Sequence, residues 1–190
     1  MVNSSNFIGL FSFSGRNSKL FYLLPFAFSV LFCVNVCAQE EEIPPANIAP
    51  PPVKFISKEE KSALAGSVDI KDRTKLAIDL MEARLKKAEA LNTSESYTDV
   101  LNELGSFTAL MNDTLKFLNK NDDGRGKVMT TFKRFEMALR TFTPRLELIR
   151  REVPEKFEYH VRTLLRNVRD ARSKAVEPFF SSTVVNDKGN

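Results

Sequence analysis

VMTTFKRFEMALRTFTPRLELIRREV, residues 128–153, decides the fold. Taken at every third or fourth place it reads Val128, Phe132, Phe135, Leu139, Phe142, Leu146, Ile149 and Val153, spaced alternately four and three. An α-helix advances 100° per residue, so positions so spaced fall on one narrow stripe, the a/d seam of a helix packed on other helices. A half-buried strand would alternate with period two. None of the eight side chains can move a proton, attack a substrate or bind a metal, so the stretch is architectural.

The pattern continues downstream. Arg150 and Arg151 place cations at the negative end of the helix dipole, and Pro154 suits the first turn of a further helix with Glu155 and Glu158 beside it. Its stripe is Phe157, Val161, Leu164, Val168, Ala171 and Ala175, in the same register. Glu177-Pro178 is expected to end or loosen this helix near Phe179-Phe180, leaving residues 181–190 as a disordered tail. Pro144 lies inside the seam helix but off its apolar stripe, which predicts a bend and not a break; Thr143 capping a fresh helix is the alternative.

Upstream, Asn119, Asn121, Asp122, Asp123, Gly124 and Gly126 form a connection rich in turn residues. It follows a stripe of Tyr97, Leu101, Leu104, Thr108, Met111, Leu115 and Leu118, widened by Val100, Phe107, Leu110 and Phe117. A face that wide meets more than one neighbour or leaves an apolar patch outside. Gly105 within it costs about 1 kcal/mol relative to Ala and points to close approach of another helix. The polar run Asn92 to Ser96 is short, so the helix before it must lie antiparallel. That helix is capped by Asp69 and carries Ile70, Ala77, Leu80, Met81, Leu85, Ala88 and Leu91 on one side. Ser57-Lys58-Glu59-Glu60 is a capping box opening a short helix that should stop at Gly66.

These segments predict an all-α fold: an antiparallel up-down-up-down four-helix bundle over residues 57–180, with a short preceding helix. The hairpin of Glu82 to Leu91 and Tyr97 to Leu104 is similar to one tetratricopeptide unit but has no second copy. The pattern over residues 57–180 resembles secreted bacterial helical-bundle proteins of uncharacterised role. That resemblance contains no chemical motif and implies no activity.

Residues 1–38 differ from the rest. Arg16 and Lys19 precede an apolar run from Leu20 to Val34, and Val36-Cys37-Ala38 stands before Gln39-Glu40-Glu41-Glu42. A charged start, an apolar middle and small residues at the −3 and −1 places describe a secretory signal peptide. The apolar run is short for the ~20 residues of a span, and Pro25 interrupts it. An N-terminal membrane anchor is the alternative. Export would make the protein periplasmic or extracellular and, since Cys33 and Cys37 both lie in the leader, free of cysteine. Residues 39–56 hold Pro44, Pro45, Pro50, Pro51 and Pro52 and are expected to be an extended spacer. Asn92 and Asn112 begin glycosylation sequons.

Charge is unevenly distributed. Residues 39–123 carry 11 basic and 16 acidic side chains, and residues 124–190 carry 15 and 8. Attraction between two halves of one bundle explains this more simply than an anionic partner.

Candidate chemistry is sparse. His160 is the one histidine; without a second, or a cysteine, transition metals lack their usual ligands, and no Gly-x-Ser-x-Gly turn presents a serine. It reads as a boundary residue of its helix. Asn119, Asn121 and Asp123 take the first, third and fifth places of a calcium-loop pattern with Gly124 at the sixth. Thr130 stands where a bidentate Glu is required, so a solvated turn is the better reading. Arg162, Arg166 and Arg169 share the face of the last helix opposite its stripe. Guanidinium groups so placed can engage phosphates, lipid headgroups or carboxylates, or stand in solvent beside Glu158 and Asp170. Phe179-Phe180 either closes the end of the bundle or forms a small docking patch. Export and the lack of interleaved aromatic residues argue against nucleic acid. The expectation is therefore a non-enzymatic binding module for a protein or an anionic envelope component, with no cofactor. A bundle that binds a small molecule or metal is the alternative.

Overall fold

The computed structural model describes residues 47–122 and 126–184, with side chains through residue 180. Among these residues the fold is all-helical: α1 Lys58–Gly66, α2 Ile70–Thr93, α3 Tyr97–Lys120, α4 Gly126–Glu152 and α5 Glu155–Val184. The signal-peptide reading of residues 1–38, the first part of the Pro-rich segment, Asp123 and the tail beyond residue 184 lie outside the described residues.

Local sequence explains where the helices begin. At α1 the Glu60 amide donates to Ser57 Oγ while the Ser57 amide donates to Glu60 Oε2, satisfying two otherwise orphaned groups. Asp69 Oδ1 accepts from the Lys71 and Asp72 amides to open α2. α4 runs unbroken through Pro144, whose side is exposed, so the Arg140 carbonyl it strands can meet water. Thr143 caps no new helix; its hydroxyl donates to the Leu139 carbonyl at 2.9 Å. α5 likewise continues past Pro178 to Val184, so the helix does not end near Phe179-Phe180 and residues 181–184 belong to it. A proline deletes one bond of the ladder, and the turns on either side hold.

All eight positions of the α4 seam are buried, as are the six of the α5 stripe. In α2 the buried side reads Thr74, Ala77, Met81, Leu85, Ala88 and Asn92, while Ile70, Leu80 and Leu91 are only partly covered. α3 is buried over most of its circumference, from Val100 to Leu118. It touches α2, α5 and, across the middle, α4. The T-shaped contact of Phe107 with Phe142, 5.6 Å between ring centroids, fills that middle.

Ion pairs give the relative directions. Arg73 meets Asp113 and Arg84 meets Glu103, so α2 and α3 are antiparallel. Arg172 meets Glu136 and Arg150 meets Glu158, so α4 and α5 are antiparallel too. Lys127 meets Asp69 and Arg145 meets Glu82 and Glu89, so α2 and α4 run parallel. Direction therefore alternates along the chain, but the ring order is α2–α3–α5–α4. Consecutive helices α3 and α4 stand diagonally, unlike the sequential ring that an up-down-up-down reading suggests. The five residues linking them can reach about 20 Å when extended. A diagonal of packed helices needs only about 13 Å.

Candidate functional site

Among the described residues, two parts of the bundle surface gather the candidate groups: the outer face of α4 and α5, and a groove between α3 and α5.

On the first, helical spacing brings together side chains that are distant in sequence. The α5 residues Arg162, Arg166 and Arg169 point away from its buried stripe, and the flank of α4 turned the same way presents Lys133, Arg140 and Arg151. Five of these six are exposed and Arg166 is half-buried. Below them lies a layer of carboxylates. Glu136, only 6% exposed, accepts from Arg172 Nε and Nη2 at 3.1 and 3.0 Å and from Arg140 Nη2 at 3.1 Å. Glu158 accepts from Arg150 at 2.6 Å and pairs with Arg162 at 3.1 Å. Burial pushes both carboxyls up, and the arginine hydrogen bonds outweigh it and hold them below their ordinary range. Lys133, Arg151 and Arg169 form no ion pair among the described residues. Beside this face, on the outer edge of α4, Met137 and Leu148 are 54% and 55% exposed, three turns apart.

Part of the charge asymmetry resolves into pairs across the bundle. Arg145 forks onto Glu89 through Nε and Nη2, both at 2.6 Å, and onto both Glu82 oxygens at 2.9 Å through Nη1. A second network ties α1 down: Glu60 Oε1 accepts from Arg84 Nε and Nη2 while Arg84 Nη1 donates to Glu103. One carboxylate thus closes the cap of α1 with one oxygen and holds α2 with the other.

The second feature is where the sequence reading fails. The later part of the expected spacer is not free. Ala49 is buried; its amide donates to the Lys156 carbonyl at 2.8 Å, and its own carbonyl lies 2.7 Å from His160 Nε2. A carbonyl only accepts, so Nε2 carries the proton. His160 is therefore a clamp on residues 49–53 and not simply a boundary residue. The strap then crosses α3 at Gly105, where an added Cβ would collide with the Val53 carbonyl oxygen and sit 3.2 Å from Pro52 Cβ. Gly105 marks close approach, but of this strap and not of a helix. The sequence signal was present in the misplaced glycine; its partner could not be read because a Pro-rich segment has no periodicity to match.

No family model, curated protein or solved structure matches the chain.

The remaining candidates separate. Asn119 occupies the last turn of α3 and Asn121 caps it, Nδ2 donating to the Phe117 carbonyl at 2.7 Å; Asp123, the third residue of the calcium-loop pattern, lies outside the described residues. Among the described residues no group of three His, Cys, Asp or Glu converges to hold a metal. Phe179 packs on the core, as closing the end of the bundle requires, while Phe180 is 71% exposed. Of the two sequons, Asn112 is exposed but Asn92 is buried, its Nδ2 donating to Glu152 at 2.6 Å, and is closed to modification in the folded protein. No described helix is long and apolar enough to cross a membrane.

Proposed function

We propose that the protein is an exported, non-enzymatic bundle that serves as a binding module, holding an anionic macromolecular surface on the outer face of α4 and α5. The observation that carries this reading is the convergence of Lys133, Arg140 and Arg151 with Arg162, Arg166 and Arg169 from two adjacent antiparallel helices. Such a face concentrates positive potential and offers guanidinium forks to carboxylates or phosphates. The carboxylates beneath orient the arginines and leave a cationic surplus outside. Export rests on the leader-like residues 1–38.

The test is recovery of the partner from the producing cell's own envelope and culture medium. Lys133→Glu, Arg151→Glu and Arg169→Glu together reverse charges that hold no ion pair of the fold. The triple variant should keep its helical spectrum and lose capture, and capture by the wild type should weaken steeply as salt shortens the Debye length to about 3 Å at 1 M. Equal capture by both proteins defeats the proposal.

A further inference from the structure

Beside the strap the α3–α5 groove is not filled. A partly open cavity of about 130 Å³ remains between Pro51, Pro52 and Lys54 of the strap, Leu101, Leu104 and Thr108 of α3, and His160, Thr163, Leu164 and Asn167 of α5. Its walls divide by chemistry. Leu101, Leu104, Leu164 and the two proline rings make an apolar middle. Tyr97 on α3 packs against Phe157 on α5, so α3 and α5 run parallel and Thr108 lies level with Asn167. The strap passes Gly105 at Val53, which brings Lys54 to that same level. One end of the cavity therefore collects a cation, an amide and a hydroxyl, and no lining residue is acidic.

The hydrogen bonds already made sharpen the picture. Thr108 and Thr163 spend their hydroxyl protons on the Leu104 and Tyr159 carbonyls, so neither hydroxyl is left to donate to a ligand. His160 Nε2 is committed to Ala49. The groups left to donate to a ligand are the Asn167 amide and the Lys54 ammonium, both at one end.

We propose that this cavity binds a small amphipathic anion, a short-chain carboxylate whose alkyl tail lies on Leu101, Leu104 and Leu164 and whose carboxylate meets Lys54 and Asn167. An apolar cavity of about this size accepts roughly six to eight non-hydrogen atoms. The site lies on a different face from the α4–α5 cations and stands or falls separately from them. Because the strap supplies one wall, occupancy also fastens residues 51–54 to the bundle.

The probe is hexanoate, added to the full chain and followed by the methyl resonances of Leu101, Leu104 and Leu164, with hexylamine and hexanol as controls. Hexanoate should shift these methyls saturably with a Kd of about 1 mM or tighter. Hexylamine should leave them in place, and hexanol should bind at least about ten-fold more weakly. Lys54→Glu, at an exposed position, should weaken hexanoate about ten-fold and leave hexanol unchanged. Thr163→Phe, filling the cavity from its half-buried rim, should abolish both. No saturable shift at 10-fold excess over that Kd, equal binding of acid and amine, or hexanoate binding indifferent to both variants would each overturn the proposal.

Discussion

Gly105→Ala decides by its sign whether the strap is part of the fold. In an exposed helix interior this substitution stabilises a protein by about 1 kcal/mol, because alanine loses less backbone freedom on folding. Gly105 is buried within α3, and its new Cβ would meet the Val53 carbonyl, with the Val53 carbonyl carbon at 3.0 Å and Pro52 Cβ at 3.2 Å. Two of these are backbone atoms and the third is on a proline ring, so no flexible side chain can give way. The strap must lift. Lifting forfeits the Ala49 amide bond to Lys156 and the His160 bond to Ala49. At about 1 kcal/mol each, with the apolar contacts of Ala49 and the prolines added, the loss outweighs the propensity gain. A net destabilisation of about 1–3 kcal/mol follows. Urea unfolding of the two proteins measures it, and limited proteolysis should cut the variant near Lys54 while sparing the wild type. Gly66→Ala is the control, since nothing lies within 4 Å of its Cβ. If Gly105→Ala raised the urea midpoint and left Lys54 protected, the strap would not be seated as described.

Arg145→Met keeps the aliphatic stem and removes the fork that joins α4 to Glu82 and Glu89 of α2. The group is 29% exposed, so solvent discounts the buried-pair cost, and a loss of about 1–2 kcal/mol in urea unfolding, smaller at high salt, is expected. Acid stability follows from Glu82, Glu103 and Glu136. Burial raises each carboxyl, but hydrogen bonds from Arg145 and Lys86, from Lys87 and Arg84, and from Arg172 and Arg140 outweigh it and hold all three below the ordinary range. The unfolded chain then binds protons first, so this stabilisation is complete above about pH 5 and is lost as pH falls through the depressed folded values. The urea midpoint should be flat from neutral to about pH 5 and fall below it. Glu136→Gln should cost about 1–2 kcal/mol at neutral pH and make the acid fall shallower. An unchanged acid profile would show that Glu136 is not held by its two arginines.

The α4 seam, the α5 stripe, the capping box at Ser57 and the Asp69 cap were all legible before any coordinates, because each rests on residues three or four apart in one helix. Such patterns are local, and the backbone hydrogen bond of a helix is local too. His160, Arg162, Arg166 and Arg169 could be picked out the same way, but not their surroundings. That the three arginines share a face with Lys133, Arg140 and Arg151 depends on which helix stands beside α5, and α3 placed next to α4 would have given another face. The diagonal order, the Arg145 fork onto Glu82 and Glu89, and the strap seated on Gly105 and His160 belong to the tertiary structure alone. Each joins residues more than fifty positions apart through shape and charge, and a one-dimensional period carries no information about which distant surface will fit.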